Sequence, residues 1–462
     1  MTLIKNHDDP LVRLVSLLLL RYCRFCISLY GFWRYRPSPA PEKPRFGSGD
    51  ITAIVCTTAV ATNRHFEESI TNILINQPAL LIIVTDTVER QREAEGRYAK
   101  IVARHPSQNI TPRTDVSRVA VSFMSSGKAD KRVQMAMAIR TVKTPLIVAF
   151  DDHVFPKHTC LQGIANVFQD DRVGLCSVRK RRIFNLYGVA YLERHNFELR
   201  ATSGMDGGVF VVSGRAMGIR TELVQRGGFD KAFTNETIPL PTLEWIVGLF
   251  GSRWPERVTI GDDNFITSWV LNAGYLIKFQ NTEDTTIETT LGEPATFVSK
   301  CLRWRRTTYY ANVRLLLTSS IAWQRWPWTI WLAYIPALFN LALLWDFVLL
   351  RAFCQTDLCT GWTLLGFSIW IYFTKTVKML PYLFRHPQDF LLLYFPVPAY
   401  LAFAYFHSLL SFFACLTFWD QSWDGGNAGH DVLALKHSNR PVTHDKSERD
   451  IVQPGAVLRC HG

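Results

Sequence analysis

The stretch that decides the fold is Leu146-Ile147-Val148-Ala149-Phe150-Asp151-Asp152-His153. Its five apolar residues predict a buried strand, and the polar residues that follow mark the point where the chain leaves the sheet. Similar apolar runs predict strands at residues 51–57 and 80–85, and helices are predicted at residues 66–76 and around 129–141. Strands that alternate with helices predict an α/β fold with a mostly parallel sheet.

Acidic residues follow two of these strands. Ligand sites in parallel sheets lie at the carboxyl ends of the strands, and both Asp86 and Asp151-Asp152-His153 occupy such ends. Carboxylate and imidazole groups together can hold a divalent ion that bridges two phosphates. Acidic residues after a strand are also common turn formers, so this motif alone does not choose between the two interpretations.

A second acidic motif, Gly261-Asp262-Asp263-Asn264, opens a helix predicted at residues 265–272. An acidic pair at a helix start is good capping chemistry. In the functional interpretation one carboxylate is a general base that deprotonates an acceptor hydroxyl, which contributes about 10²–10⁴ in rate.

The third motif is Arg303-Trp304, within Lys300-Cys301-Leu302-Arg303-Trp304-Arg305-Arg306. Arginine can hold a diphosphate through two hydrogen bonds, and tryptophan offers a flat face to a sugar ring. The alternative for this segment is a basic, aromatic anchor at a membrane interface.

The net charge of +12 is compatible with nucleic-acid binding or with a membrane protein that keeps its cations on the cytoplasmic side. Many of the cations flank apolar runs, as Arg34, Arg36 and Lys43 do, which favours the membrane interpretation and a protein that binds no nucleic acid. The ten cysteines show no metal-type or disulfide-framework spacing, so reduced thiols are expected, as in a cytosolic domain.

The long apolar runs lie towards the two ends of the chain. Residues 11–33 have spanning length but include Arg13, Arg21 and Arg24. Each arginine costs about 2.5–3.5 kcal/mol at a bilayer centre, and each Leu, Ile or Phe contributes about 0.3–0.6 kcal/mol in favour of insertion. The two sums nearly cancel, so a spanning helix and an interfacial helix both stay open.

Transmembrane candidates are predicted at residues 328–350, 361–380 and 390–419. The predicted organisation is therefore a membrane or interfacial helix at 1–36, a Pro-rich linker at 37–49, an α/β domain at 50–302, an interfacial amphipathic helix at 303–327, membrane helices at 328–419, and a polar segment at 420–462.

The order and spacing of these motifs resemble the inverting family 2 glycosyltransferases with a GT-A fold, a Rossmann-like α/β domain. That family includes hyaluronan, chitin and cellulose synthases, and the nearest likeness is to fungal polysaccharide synthases that resemble hyaluronan synthases. The resemblance rests on the three motifs above, on Ile54-Val55-Cys56-Thr57-Thr58, on Ile83-Val84-Thr85-Asp86, and on Trp419-Asp420-Gln421-Ser422-Trp423-Asp424-Gly425-Gly426. It covers roughly residues 50 to 426.

The resemblance implies a role for each matching residue. Thr57, Asp86 and Lys128 would contact uridine diphosphate, with Asp151 also on the donor side. Asp151 and His153 would hold Mg²⁺ or Mn²⁺. Asp263, beside Asp262, would be the catalytic base. Arg303 would hold the diphosphate, Trp304 would stack on the acceptor sugar, and Trp423 would belong to a gating loop.

The resemblance also implies the wider function. A UDP-sugar donor would transfer its sugar with inversion to a growing polysaccharide, within the bilayer of the plasma membrane and with the catalytic domain in the cytosol. Three features depart from the family pattern. Lys300 stands where the family usually has Gln or Arg, and Asp424 follows Trp423 in place of the usual Gly-Thr-Arg. The familiar synthases also have two amino-terminal spans, whereas at most one is predicted here. Two alternatives stay open, a transferase that adds one sugar to a lipid such as ceramide or polyprenyl phosphate, and a non-catalytic membrane scaffold.

Overall fold

A computed structural model describes residues 9–104, 115–182, 186–238, 244–249, 253–290, 294–394, 399–420 and 457–458. The strands are β1 Ile51–Cys56, β2 Leu80–Thr85, β3 Ala120–Ser125, β4 Leu146–Asp151, β5 Val154–Pro156, β6 Val173–Val178, β7 Lys180–Arg182, β8 Ala216–Arg220, β9 Leu276–Gln280, β10 Ile287–Thr289 and β11 Val457–Leu458.

The α-helices are α1 Pro10–Arg34, α2 Phe66–Ile75, α3 Val88–Arg104, α4 Lys131–Thr141, α5 Cys160–Val167, α6 Leu186–Asp206, α7 Thr221–Gln225, α8 Phe229–Thr234, α9 Glu244–Leu249, α10 Asp262–Asn272, α11 Pro294–Thr318, α12 Ser320–Arg325, α13 Pro327–Thr329, α14 Ile335–Leu338, α15 Ala342–Cys354, α16 Gly361–Thr376, α17 Leu380–Leu383, α18 Asp389–Tyr394 and α19 Ala399–Cys415. A π-helical turn, Ile330–Tyr334, joins α13 to α14.

The main sheet has the strand order β11-β3-β2-β1-β4-β8-β6-β9. Strands β3, β2, β1 and β4 run parallel, and β8 is antiparallel to both of its neighbours. A second sheet of three short strands, β5-β10-β7, lies beside it. The predicted mostly parallel α/β fold is confirmed, and the three predicted strands end within one residue of the observed ones.

The central strands are apolar without interruption because both faces of the sheet are covered. In β1, Ile54 packs into the core on one face, whereas Ala53 and Val55 pack into the core on the other. We refer to residues 51–290 as the sheet domain. Its parallel strands deliver their carboxyl ends to one edge, where the acidic motifs lie.

We refer to residues 10–34, 294–394 and 399–415 as the helical part. Its α11 is a continuous helix that crosses the boundary predicted at residues 302 and 303, because no helix-breaking residue interrupts it between Pro294 and Thr318. Arg305 and Arg306 on this helix are each only 7% exposed. These two arginines of the segment predicted to be an interfacial helix therefore point inward.

None of the described helices is by itself both long enough and apolar enough to cross a bilayer. The segments Pro327–Leu338 and Ala342–Cys354 together have the length and composition for one crossing, but they meet at a bend of 92°. The span predicted at residues 328–350 is thus divided in two. Pro336, which cannot donate a helical hydrogen bond, lies three residues before the break.

The amino-terminal helix α1 is docked against α6 of the sheet domain. A Cβ atom on Gly204 would lie 1.8 Å from the Gly31 carbonyl oxygen, and one on Gly31 would lie 2.2 Å from the Ala201 carbonyl oxygen. Only glycine permits two helices to approach this closely. The amino-terminal segment is therefore part of the folded body, joined to the sheet domain through backbone contact.

Candidate active site

The first acidic motif forms a bonded group at the carboxyl end of β4. The Thr57 hydroxyl, which follows β1, donates to Asp152 Oδ2 at 2.5 Å. His153 Nδ1 lies 3.0 Å from Asp152 Oδ1, and the Asn63 amide donates to the Asp152 carbonyl oxygen at 2.8 Å. Thr57 thus positions Asp152 because β1 and β4 are adjacent and parallel.

Lys131 joins the two acidic motifs. Its Nζ lies 2.8 Å from Asp151 Oδ1 and 3.1 Å from Asp262 Oδ2. Asp130 caps α4 by accepting hydrogen bonds from the amides of Arg132 and Val133, which fixes Lys131 as the first residue of that helix. The two carboxylates, more than a hundred residues apart in sequence, are therefore held at one cation.

The contact between Lys131 and the carboxylates determines the charge state of Asp151 and Lys131. Burial would raise the pKa of Asp151, but the Lys131 ammonium, His153 and Arg215 together lower it to about 2. Burial would lower the pKa of Lys131, and the Asp151 and Asp262 carboxylates raise it instead. Both partners are therefore ionised at neutral pH.

The second acidic motif begins α10, as predicted, but Gly261 is the N-cap and no side chain caps the helix. Gly261, directly before α10, has a φ of 74°. A Cβ atom at Gly261 would lie 2.7 Å from the Tyr310 hydroxyl oxygen. Asp263 Oδ2 accepts a hydrogen bond from the Gly214 amide at 3.1 Å. Burial and the neighbouring Asp262 carboxylate raise the pKa of Asp263. A carboxylate of raised pKa is a stronger base than an ordinary aspartate.

Arg132 holds the turn that leads into this motif. Its side chain is 1% exposed and forms an ion pair with Glu236 at 2.6 Å. It also donates to the carbonyl oxygens of Phe233, Ile260 and Gly261 at 2.9, 2.8 and 3.2 Å. Arg132 is thus a positioning residue for Asp262 and Asp263.

The Arg-Trp motif lies in the middle of α11. The Trp304 ring stacks on Tyr191, with centroids 5.1 Å apart and planes 27° apart, and the Arg215 guanidinium lies 4.9 Å from its centroid. One turn earlier, burial and the nearby Arg215 lower the pKa of Lys300 to about 8. Aromatic and cationic groups therefore share the wall that faces the carboxylates.

These groups line one cavity of about 1360 Å³. Of the residues predicted from the sequence, it is lined by Thr57, Lys128, Asp151, His153, Asp262, Asp263, Arg303 and Trp304. Both acidic motifs and the Arg-Trp pair therefore face a single space.

Among the predicted residues that the structure describes, Asp86 does not line the cavity. Asp86 is 5% exposed and pairs with Arg90 one turn later, and its Oδ1 has no hydrogen-bond partner among the described residues. Trp423, predicted to belong to a gating loop, lies outside the described residues.

Sequence reasoning chose Lys128 and missed Lys131. Lys128 lines the cavity but is exposed, whereas Lys131 contacts both acidic motifs. The signal in the sequence was the Asp130 cap, which sets the start of α4 and hence the position of Lys131. Arg132, Arg215 and Tyr191 were also missed, because nothing local in the sequence brings them to the site.

Within the described residues, no group of three or more His, Cys, Asp or Glu side chains is arranged to hold a metal ion. Mg²⁺ commonly takes only one or two protein carboxylates, with the remaining ligands from water and substrate phosphates. Asp151, which lines the cavity, fits this donor set as a carboxylate, and His153, which also lines it, would add a nitrogen ligand.

Comparison with known proteins identifies the family. A model described as "Glycosyltransferase like family 2" matches residues 50–307, more than half of the chain. A type 2 glycosyltransferase of Pyricularia oryzae is 30% identical over 443 residues, which cover 91% of this chain and 83% of that protein. One of Zymoseptoria tritici is 29% identical over 435 residues, covering 91% and 84%.

Among solved structures, the mannosyltransferase PcManGT of Pyrobaculum calidifontis, in complex with GDP-Man and Mn²⁺, aligns with a TM-score of 0.54. It is 15% identical, and the alignment covers 90% of this chain and all of that one, so the likeness shows the fold. The matched sheet domain, the assembled acidic motifs and the fungal relatives lead to one conclusion: the chain belongs to glycosyltransferase family 2 and is a glycosyltransferase of GT-A-like fold that uses a nucleotide sugar.

Proposed function

We propose that the enzyme is a membrane-bound, processive synthase that transfers a sugar from a UDP-sugar to a growing polysaccharide, with inversion. The observation that carries this proposal is the extent of the cavity. It runs from the carboxylates of the sheet domain, past Trp304, to residues of α14 to α16 and α19 such as Pro336, Lys375 and His407. Its volume of about 1360 Å³ exceeds the roughly 300–1,000 Å³ of ordinary small-molecule pockets. This leaves room for an acceptor chain beside the donor.

The chemistry assigned to Asp263 is proton transfer. Its carboxylate takes the proton of the acceptor hydroxyl, whose oxygen attacks the anomeric carbon of the donor as the bond to the UDP oxygen breaks. The raised pKa of Asp263 supports this role, because a general base works best when its pKa approaches the working pH. The Gly214 amide, which donates to Asp263 Oδ2, orients the carboxylate.

The leaving group is a diphosphate, and the cations of α11 face it in this proposal. Arg303 and Lys300 line the cavity one turn apart and supply positive charge where negative charge develops. A Mg²⁺ or Mn²⁺ ion held by Asp151 and His153 would add charge neutralisation of the departing diphosphate. Thr57 and Lys128 also line the cavity, and we assign them to the nucleotide.

We assign the acceptor to the side of Trp304. Its indole and the Tyr191 ring form a stacked aromatic pair on the cavity wall, a surface suited to the flat face of a sugar. The helices after residue 326 then provide the passage for the product.

A bilayer around the helical part is supported by the outward side chains of its helices. On α16, Trp362, Leu365, Ile369 and Phe373 are between 51% and 85% exposed and follow one another at helical spacing. Contiguous apolar surface of this kind is rare on proteins surrounded by water. We place the enzyme in the plasma membrane, with the sheet domain in the cytosol beside its soluble donor.

The test is product analysis. Membranes that contain the full chain are incubated separately with labelled UDP-glucose, UDP-N-acetylglucosamine and UDP-glucuronate, alone and in pairs. We expect label in large, water-soluble or insoluble polymer, at a rate about 10²–10⁴-fold lower when Asp263→Asn replaces the natural enzyme. Label confined to an organic-extractable lipid would contradict the polymer synthase in favour of a single-addition transferase. Failure to bind or hydrolyse any UDP-sugar with Mn²⁺ present would indicate a scaffold.

A further inference from the structure

Two cysteines lie in contact at the loop between α15 and α16. Cys354 is the last residue of α15, Cys359 lies two residues before α16, and their side chains are hydrogen-bonded to each other. Cys354 is exposed and Cys359 is half-buried, so a reagent can reach both sulfurs. The loop is tightly turned, because the Cys359 amide donates to the Thr356 carbonyl oxygen at 3.2 Å. We refer to Cys354 and Cys359 as the thiol pair.

Helix α1 relates the position of the thiol pair to the sheet domain. Gly31, near the carboxyl end of α1, is packed on α6 of the sheet domain. Towards the other end of α1, Arg13 donates to the Gln355 side chain at 3.3 Å, directly beside Cys354 in sequence. At about 1.5 Å per residue, the helix covers about 27 Å between Arg13 and Gly31. The thiol pair therefore lies at the end of α1 that points away from the sheet domain.

Helix α16 gives a similar distance independently. Its carboxyl end is held at the sheet domain, because Lys378, just after the helix, pairs with Glu198 on α6 at 3.1 Å. The 16 residues of α16 cover about 24 Å, and the amino end of the helix follows Cys359. Two helices thus lead from α6 to the same loop.

The outer surface between the sheet domain and this loop is apolar. Val15 and Leu19 on α1 are 45% and 65% exposed, and α16 carries the exposed apolar face described above. The two helix lengths approach the roughly 30 Å of a bilayer's hydrocarbon core. In the orientation proposed above, on which this inference rests, the sheet domain is cytosolic and the loop lies across the membrane. Disulfides form and persist on that side.

Two cysteines of the sheet domain provide a comparison. Cys160 and Cys176 are fully buried in its core. Burial raises the pKa of both thiols, that of Cys160 to about 12. Such a thiol forms little of the thiolate that reacts with a disulfide. Cys160 and Cys176 should therefore stay reduced, and they serve as internal controls for the thiol pair.

We propose that Cys354 and Cys359 form a disulfide that pins the loop between α15 and α16 on the extracytosolic side. One thiolate attacks the disulfide of an oxidising protein or of oxidised glutathione, and the other thiolate then displaces that oxidant from the mixed disulfide. The two cysteine sulfurs become bonded, the disulfide of the oxidant breaks, and the oxidant takes up two electrons and two protons. Through Gln355 and Arg13, the closed loop also holds the amino end of α1.

The test is differential alkylation of the full chain produced in yeast. Cells are quenched in acid, free thiols are blocked with N-ethylmaleimide in denaturant, and disulfides are then reduced and labelled with iodoacetamide. Mass spectrometry of the tryptic peptide 352–375 should show iodoacetamide label on Cys354 and Cys359. Cys160 and Cys176 should carry N-ethylmaleimide. N-ethylmaleimide on both members of the thiol pair would overturn the disulfide.

Thermal unfolding tests whether the bond holds the loop. Cys354→Ser/Cys359→Ser should lower the melting temperature by a few degrees, and dithiothreitol should lower that of the natural protein similarly but not that of this variant. Cys23→Ser/Cys26→Ser, which replaces two exposed cysteines of α1, is the matched control and should melt as the natural protein does. A natural protein whose melting ignores dithiothreitol would show that no disulfide pins the loop.

The side of the membrane is measured separately, in sealed microsomes whose outer surface is the cytosolic one. After reduction, the thiol pair should be protected from a membrane-impermeant maleimide until detergent is added. A cysteine introduced by Val88→Cys, at an exposed position of the sheet domain, should react at once. Reaction of the thiol pair without detergent would overturn the extracytosolic placement and the disulfide with it.

Polymer synthesis from UDP-sugars is assayed in the same membranes. A disulfide without polymer would refute the proposed synthase and leave this inference standing. Polymer with both thiols free would refute the disulfide and leave the synthase standing.

Discussion

The sheet domain and the helical part differ in where their large apolar and charged side chains lie. In the sheet domain, Val88, Tyr187 and Trp245 are the large apolar side chains that stand exposed among the described residues. In the helical part such side chains cover whole helix faces, as on α16 and α19, while Asp346 is 2% exposed inside. The difference agrees with the proposed membrane setting, in which water surrounds the first part and an apolar phase surrounds the second.

The comparison also shows how one cavity serves both parts. At the sheet edge, the carboxylates are bonded to fixed partners such as Lys131 and Gly214. In the helical part, the cavity is lined by cations such as Arg24 and Lys375. We therefore expect substitutions in the sheet domain to change the rate of chemistry, and substitutions in the helical part to change assembly and acceptor binding.

The largest expected effect is that of Asp263→Asn. Because the amide cannot accept the hydroxyl proton, kcat should fall about 10²–10⁴-fold while UDP binding persists. The measurement is UDP release per enzyme, with UDP affinity determined in parallel. Asp230→Asn, at a surface pair with Arg140, is the control and should retain the natural rate. Elongation by Asp263→Asn at the natural rate would refute the base assignment.

Arg132→Met should give the next largest effect, on stability. It removes three hydrogen bonds to backbone carbonyls and one partner of the buried Glu236, and loss of a buried ion-pair partner costs about 3–5 kcal/mol of unfolding free energy. Thermal unfolding measures it. Arg172→Gln, whose side chain is 78% exposed, should change stability by about 0–1 kcal/mol. Equal changes in thermal stability in the two variants would show that Arg132 does not hold the turn before α10.

Gly204→Ala sharpens the boundary between the two parts. The new methyl group would meet the Gly31 carbonyl at 1.8 Å, so α1 must move away from α6, at a cost of about 1–3 kcal/mol. Limited proteolysis and thermal unfolding report the loosened helix. Gly366→Ala on α16, where a Cβ atom meets nothing within 4 Å, should instead stabilise by up to about 1 kcal/mol. Destabilisation by both variants alike would argue against close docking of α1.

The smallest effect is a pH dependence of donor affinity. The pKa of Lys300 is lowered to about 8 by burial and by Arg215, so its charge is present below that pH and lost above it. If Lys300 contacts the diphosphate, UDP affinity should fall about tenfold as pH rises from 7 to 9. Lys300→Arg, which stays charged, should remove this alkaline fall. An unchanged pH profile in Lys300→Arg would exclude the contact.

Much of the sheet domain could be predicted from the sequence because apolar runs such as residues 80–85 and 146–150 are bounded by polar residues at the strand ends. The motif Asp151-Asp152-His153 followed from the same boundaries, whereas Asp262-Asp263 was recognised at a helix start. Lys131 was missed because its role arises from a contact across the sheet edge, between residues far apart in sequence. The family resemblance assigned Lys128 to the nucleotide instead.

The helical part was harder to predict. An apolar run indicates burial in protein or lipid but does not reveal a bend, so residues 328–350 read as one segment although they turn by 92°. The pairing of Arg21 with Asp346, 325 residues apart, likewise has no local signal. Arg21 was counted as a cost of membrane insertion, whereas in the structure it has a carboxylate partner inside the protein.

The most direct test of the central claim is a cryo-electron microscopy map of the full chain with UDP and Mn²⁺. We expect the nucleotide in the shared cavity, with its diphosphate between the Asp151 side and Arg303, and with Asp263 facing the open acceptor space. Density for UDP at any other surface, or a map in which the two acidic motifs and Arg303-Trp304 face separate spaces, would contradict the proposed synthase.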